Sequence, residues 1–266
     1  MIIDAHAHIT TALNKKFGRQ SHKRTMQILL EEMQQNQVAH TFVIASFRDG
    51  VASPQTKETI ELVKDCAQLH VIGTIDLENY VQKDLDALEE HLKKREIIGI
   101  KLYLGYQHIY AYDKRCHPIY ELCTKYNVPA MFHTGDTFRA DGKVRYAHPL
   151  AIDDVAVDFP HCKLVIAHVG NPWMETTAEI LYKNENVYAD ISGLVVCDGF
   201  HTPDGELAKK RLKELIAYAS AKKLIYGTDW PLAKMTDYIE FAESLEIEKA
   251  DFNYVMSKNA RDIFNI

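Results

Sequence analysis

The strongest constraint on the fold of this chain is an alternation: eight segments of strand character, each followed by a segment of helical spacing, in repeats of nearly equal length. The strand segments are residues 2–8, 40–46, 71–76, 97–103, 128–133, 163–168, 186–192 and 224–229. Thr41-Phe42-Val43-Ile44-Ala45 is typical, an apolar β-branched run of the kind buried on both faces. Residues 21–36 place Met26, Leu29, Leu30 and Met33 at helical spacing, and residues 80–95 do so with Leu85, Leu88 and Leu92. Ser53-Pro54 supplies an N-cap and N1 proline for a helix to about Leu69, Pro118 opens one that Asn127 ends, and Pro149 and Asn171-Pro172 open two more. Helical segments at 205–221, 234–245 and 248–264 complete the pattern. The alternation predicts a parallel sheet of βαβ units, and no linker or composition shift divides residues 1–266 into more than one domain.

An open doubly wound sheet and a closed barrel both satisfy that pattern, but no G-x-G-x-x-G follows any strand. The polar residues favour closure. His6 and His8, Lys101, His133, His168 and Asp229 fall at the ends of the first, fourth, fifth, sixth and eighth strands. Closing the sheet sets Asp229 beside His6 and His8, with His133 and His168 across the mouth. Long segments follow strands four, five and seven (104–117, 134–148 and 193–204), on the face where barrel active sites lie. The expected fold is therefore α/β, a (β/α)8 TIM barrel in a single domain.

Side chains two apart on a strand share a face, so His6 and His8 present imidazoles a metal ion's bite apart. A lone histidine at a strand end is more often a hydrogen-bonded core residue than a ligand. Four histidines and a carboxylate converging on one rim would lack partners without a cation.

The net charge of −6, with no basic cluster longer than a few residues such as Lys93-Lys94-Arg95, argues against nucleic acid or an anionic membrane as partner. A small-molecule substrate is expected, with a homo-oligomer left open. Five cysteines, Cys66, Cys116, Cys123, Cys162 and Cys197, are odd in number, widely spaced and without a C-x-x-C pair, so they read as reduced packing residues of a cytoplasmic protein. There is no leader peptide and no apolar run near 18 residues, and a histidine-bearing strand so close to the start leads to the expectation that the mature chain begins at or near Met1.

The contexts of these residues carry a family resemblance. Asp4-Ala5-His6-Ala7-His8, His133-Thr134-Gly135, Ala167-His168-Val169-Gly170, Gly227-Thr228-Asp229-Trp230-Pro231 and Asn259-Ala260-Arg261-Asp262-Ile263-Phe264 resemble the amidohydrolase superfamily of metal-dependent barrel hydrolases, in particular its second amidohydrolase family. The resemblance runs the whole length of the chain. It implies a Zn²⁺-type centre bound by His6, His8, His133 and Asp229, with His168 close by; Mn²⁺, Fe²⁺ and Co²⁺ also suit such donors. A divalent cation acidifies water and polarises a carbonyl, and Asp229 is suited to ligate through one oxygen and carry a proton on the other. With one metal, His168 is catalytic, polarising the substrate or orienting the water; with two, it binds the second ion. Lys101 separates the cases: it bridges two metals as a carboxylated lysine, as in some superfamily members, or it stays a free cation for an anionic substrate. The plain alternative is that Lys101 turns into the loops and pairs with Asp136 or Asp113.

Arg48 and Arg139 stand where a guanidinium could hold a carboxylate bidentately, and Tyr103 and His108 belong to an aromatic segment at the mouth that could wall the pocket. Trp173 and Trp230 are expected to pack behind the site. The first expectation is a metal-dependent hydrolase opening a C–O or C–N bond (lactone, amide or ester) in a small carboxylated molecule. The second is a non-oxidative decarboxylase, which the same family includes. A nuclease on the same barrel ranks low, because that group carries a glutamate where this chain has Lys101, and a non-enzymatic scaffold needs no such ligand set.

Overall fold

The computed structural model describes residues 1–11, 19–48, 52–196 and 199–266. Its strands are β1 (Ile2–Ala7), β2 (Val38–Ile44), β3 (Leu69–Thr74), β4 (Ile100–Leu102), β5 (Ala130–Phe132), β6 (Leu164–Ile166), β7 (Val187–Asp190) and β8 (Leu224–Ile225). All neighbours pair in parallel in the order of the sequence. The ring closes between β8 and β1 beyond the short β8: Ala5 N donates to Tyr226 O at 3.0 Å, Asp229 N to His6 O at 2.8 Å and His8 N to Trp230 O at 2.7 Å. The chain is thus a single (β/α)8 TIM barrel, as the alternation predicts.

The helices are α1 (His22–Gln35), α2 (Thr56–Val63), α3 (Gln82–Lys93), α4 (His117–Tyr126), α5 (Ala151–Asp158), α6 (Met174–Lys183), α7 (Pro203–Ala219), α8 (Met235–Glu243), α9 (Lys249–Asn253) and α10 (Asn259–Phe264). Local chemistry sets several ends: Ser21 caps α1 by accepting from Arg24 N, and Asn127 ends α4 at φ +53. α2 starts later than Ser53-Pro54 suggests, because Ser46 N donates to Pro54 O at 2.8 Å and ties that stretch to the end of β2. It also ends at Val63, since Leu69 already belongs to β3. Pro149 and Asn171-Pro172 likewise sit in turns just ahead of α5 and α6.

Two apolar layers hold the barrel. Ile3, Ala5, Phe42, Ile44, Ile72, Met131, Val165 and Ile225 fill the interior, and Ala260, Ile263 and Phe264 of α10 close it from below. A larger cluster packs the helices onto the outside of the strands. Cys66, Cys116, Cys123 and Cys162 are free, and Cys197 lies outside the described residues. Among the described residues no helix is long and apolar enough to cross a membrane.

Candidate metal centre

The centre begins with an irregularity in β1. The register against β2 slips between Asp4 and Ala7, so Ile3 and Ala5 belong to the barrel interior while Ala7 packs outside. The slip turns His6 and His8 inward above Ala5, as bulges beside functional sites commonly re-aim side chains. Asp4 holds it in place: buried, it accepts from His6 N at 3.1 Å, Thr228 N at 3.0 Å and Thr228 Oγ1 at 2.7 Å. Burial pushes the Asp4 carboxyl up to about 7, against these three hydrogen bonds.

His6, His168 and Asp229 bring ligand atoms within 4.8 Å of one another. Asp229 Oδ1 lies 3.6 Å from His6 Nε2 and 3.3 Å from His8 Nε2. Asp229 and His168 both sit in left-handed backbone, at φ +59 each, in the turns that follow β8 and β6. His133 Nε2 donates to Asp136 O at 2.9 Å, leaving Nδ1 as its open nitrogen; its ring is 5.0 Å from that of His168. His133 stands outside the tightest group, beside it.

Burial first, with the charge of Lys101 second, lowers the pKa of His6 to about 3; burial also lowers His168, and burial with the field of His168 takes His133 well down. His6 is therefore neutral. Its Nδ1 lies 2.9 Å from Asp190 Oδ2, an acceptor, so Nδ1 carries the hydrogen and Nε2 turns a lone pair toward Asp229. Burial works against the ionised form of Asp229, but the approach of His8 at 3.3 Å helps hold its carboxyl well below the usual range. A lone pair facing a carboxylate is repulsive unless a cation lies between them, so the donor set fits a divalent ion.

Lys101 points inward and pairs with neither Asp136 nor Asp113. It is 1% exposed, its Nζ has no hydrogen-bond partner among the described residues, and it lies 5.8 Å from the Tyr103 ring. Burial lowers it to about 8, with Asp190 and Asp229 favouring the charge. Around the mouth the rings of Phe47, Tyr103, Tyr106 and His133 follow one another at 5.0, 6.5 and 4.7 Å. The Tyr103 hydroxyl is committed to Ala45 O at 2.7 Å, so that residue offers a ring face. Arg139 closes its fork on Asp141 at 2.8 and 2.6 Å, Arg48 approaches the same carboxylate at 3.8 Å, and His108 Nε2 donates to Asp141 O at 3.0 Å. Trp230 is buried behind the β1–β8 seam, and Trp173 is half-buried against His148 at 4.6 Å.

An amidohydrolase family model matches residues 3–266. The chain belongs to the amidohydrolase family. That family is metal-dependent. This amidohydrolase is similar in structure to an uncharacterized TIM-barrel protein from Bordetella bronchiseptica, at 18% identity over 99% of this chain and 98% of the other, TM-score 0.78. It is also similar to 5-carboxyvanillate decarboxylase from Sphingomonas paucimobilis, at 14% identity over 100% and 99%, TM-score 0.71. A probable 2-pyrone-4,6-dicarboxylic acid hydrolase from Acinetobacter baumannii gives 15% identity over 100% and 99%, TM-score 0.71. At such identities the likeness shows the fold. Gamma-resorcylate decarboxylase of Polaromonas sp. is 24% identical over 128 residues; the match spans 41% of this chain and 36% of that relative's length.

Two residues of this amidohydrolase's centre escape the strand-end reasoning. Asp190, the last residue of β7, and Ser192, two further on, are buried against His6 and His168. Burial opposes ionisation of Asp190, and the hydrogen bond from His6 with the charge of Lys101 outweighs it. Their spacing of two is the same signal that picks out His6 and His8.

Proposed function

We propose that this amidohydrolase is a metal-dependent hydrolase that cleaves a C–O or C–N bond, in a lactone, amide or ester, of a small carboxylated substrate. The observation that carries the proposal is the His6 Nε2 lone pair facing Asp229 Oδ1 at 3.6 Å, beside His8 Nε2 at 3.3 Å from the same oxygen. His6, His8, His133 and Asp229 would hold one divalent ion of zinc type, with His168 beside it; a second ion would draw on His168 and a carboxylated Lys101. The ion supplies a Lewis acid that polarises a substrate oxygen and acidifies water.

The chain's own groups do the rest. Asp229 turns Oδ1 to His6 and His8, and its Oδ2, on the side of Gly193, is suited to take a proton from water and return it to the leaving group. His168 has Nδ1 engaged by Ser192, so Nε2 is its open atom for orienting water or a substrate hydroxyl. Lys101 is the inner cation for a substrate carboxylate, with Arg48 and Arg139 further out and Tyr103 as a ring face.

A non-oxidative decarboxylase is the second reading, favoured by the gamma-resorcylate decarboxylase match and by the ring wall of Phe47, Tyr103 and Tyr106, which suits a flat carboxylated ring. One experiment separates the two. Protein purified without chelator is assayed for metal per chain, then incubated with carboxylated lactones, amides, esters and aryl carboxylates while acid release and CO₂ release are followed. Acid without CO₂ supports the hydrolase; CO₂ as the product overturns it in favour of the decarboxylase. A metal content near one supports the single-ion centre, and near two the bridged one.

A further inference from the structure

The rings of His6 and His168 lie 4.9 Å apart, and both turn Nδ1 to the same hydroxyl: Ser192 Oγ is 3.0 Å from His6 Nδ1 and 2.9 Å from His168 Nδ1. A serine oxygen has one hydrogen to donate and two lone pairs with which to accept. Its surroundings fix where the hydrogen goes. His6 Nδ1 also lies 2.9 Å from Asp190 Oδ2, and His168 Nδ1 lies 3.1 Å from the Ser192 carbonyl oxygen. Both are acceptors, so both ring nitrogens carry hydrogen. Ser192 must then accept from both rings and donate its own hydrogen to Asp190 Oδ1, which lies within reach. Asp190 Oδ1 also accepts from the backbone N–H of His168 and of Ser192, each at 3.0 Å. Every donor in the cluster finds an acceptor, with one arrangement of hydrogens.

We propose that Asp190 and Ser192 form one positioning unit, in which the carboxylate orders His6 directly and orders His168 through the Ser192 hydroxyl. Both imidazoles are held with hydrogen on Nδ1, so that Nε2 of each is the atom offered to the ion and the substrate. Groups behind a ligand commonly fix its tautomer and ring angle in this way. Here a single hydroxyl does so for two rings with different tasks, and the catalytic consequence rests on the metal-dependent reading above. The tautomers themselves do not, because they are set by the protein alone.

The test uses full-length protein with ¹⁵N-labelled histidine, treated with chelator, and long-range ¹H–¹⁵N correlation spectra assigned with His6→Gln and His168→Gln. The wild type is expected to show hydrogen on Nδ1 of both residues, with ring N–H protons shifted downfield and protected from exchange. Ser192→Ala leaves the residue-192 carbonyl, 3.1 Å from His168 Nδ1, as the remaining acceptor, so the His168 proton should move upfield and lose its protection from exchange while that of His6, which Asp190 still accepts, is kept; Ser192→Thr, which keeps the hydroxyl, should restore both. Asp190→Asn sets an amide NH₂ against existing donors, so His6 should shift toward hydrogen on Nε2 and zinc affinity, read by competition with a fluorescent chelator, should fall by about 10- to 100-fold. Hydrogen on Nε2 of either ring in the wild type, an unchanged His168 proton in Ser192→Ala, or unchanged zinc affinity in Asp190→Asn overturns the proposal. If both wild-type rings carry hydrogen on Nδ1 and Ser192→Ala behaves as stated, but the wild type binds no divalent ion, the positioning unit stands and the metal-dependent reading falls.

Discussion

Lys101 offers the sharpest quantitative test of the centre. A buried ammonium without a hydrogen-bond partner destabilises a fold, and Lys101 is 1% exposed with Nζ unpartnered among the described residues. Its fall from 10.5 to about 8 corresponds, at 1.36 kcal/mol per pH unit, to about 3 kcal/mol of penalty for the charged form in the folded protein. Between those values the folded chain binds fewer protons than the unfolded one, so stability rises with pH across the window and the whole penalty is present below about pH 8. Lys101→Met replaces the ammonium by an apolar chain of similar reach. Chelator-treated Lys101→Met should therefore be more stable than wild type by about 3 kcal/mol at pH 7, with the gain fading as pH rises toward 10.5. Urea unfolding followed by circular dichroism at several pH values measures it. A variant less stable than wild type, or a gain that does not change with pH, would show that the ammonium is held by favourable contacts and refute the account of Lys101 as a strained inner cation.

Other substitutions probe the ligand set. Asp229→Asn should fold normally yet lower kcat by several orders of magnitude, since an amide cannot carry the proton; near-normal turnover removes Asp229 from that role. His6→Ala should lose bound metal together with activity, and unchanged metal content by elemental mass spectrometry would mean that the chelate on β1 is misassigned. Gly193→Ala places a Cβ 2.7 Å from His168 Nδ1 and 3.2 Å from Asp229 Oδ2 in backbone at φ +64. The left-handed conformation and the overlap together should cost roughly 2–4 kcal/mol in urea unfolding, and a loss below about 1 kcal/mol would argue against a tightly packed centre.

The barrel and its rim were legible because both rest on local periodicity. Strand and helix segments announce themselves by spacing, and His133, His168 and Asp229 each close an apolar run. Closure followed from the company Asp229 keeps, and hydrogen bonds across the seam carry it where β8 spans only two residues. What stayed hidden depends on departures from period. Strict alternation puts Asp4, His6 and His8 on one face; the chain instead slips by one residue, with the Asp4 side chain accepting the His6 N–H, and no composition announces a bulge. Asp190 and Ser192 do not stand out in the sequence, where Ala189-Asp190-Ile191-Ser192 reads as an ordinary strand end entering a turn. Only the three-dimensional approach of β7 to β1 and β6 gives that carboxylate its partners.

The depth of each cation in the mouth narrows what it can recognise. Arg139 stands where a clamp is wanted, but its fork is filled by Asp141, and Arg48 leans on the same carboxylate. His108 donates to the Asp141 backbone and Tyr106 accepts from Phe138 N, so the segments after β2, β4 and β5 are joined through one short stretch. Exposed pairs of this kind contribute about 0–1 kcal/mol and weaken with salt, so an incoming carboxylate can displace Asp141 at little cost. It gains correspondingly little, because water screens the arginines before and after. Lys101 differs on both counts: its charge is already stripped of water and, among the described residues, has no hydrogen-bond partner to surrender. On the proposed function, a substrate anion therefore gains most by reaching Lys101, beside Asp229 and the open histidine nitrogens, while Arg48, Arg139 and Asp141 act on the loops it passes between.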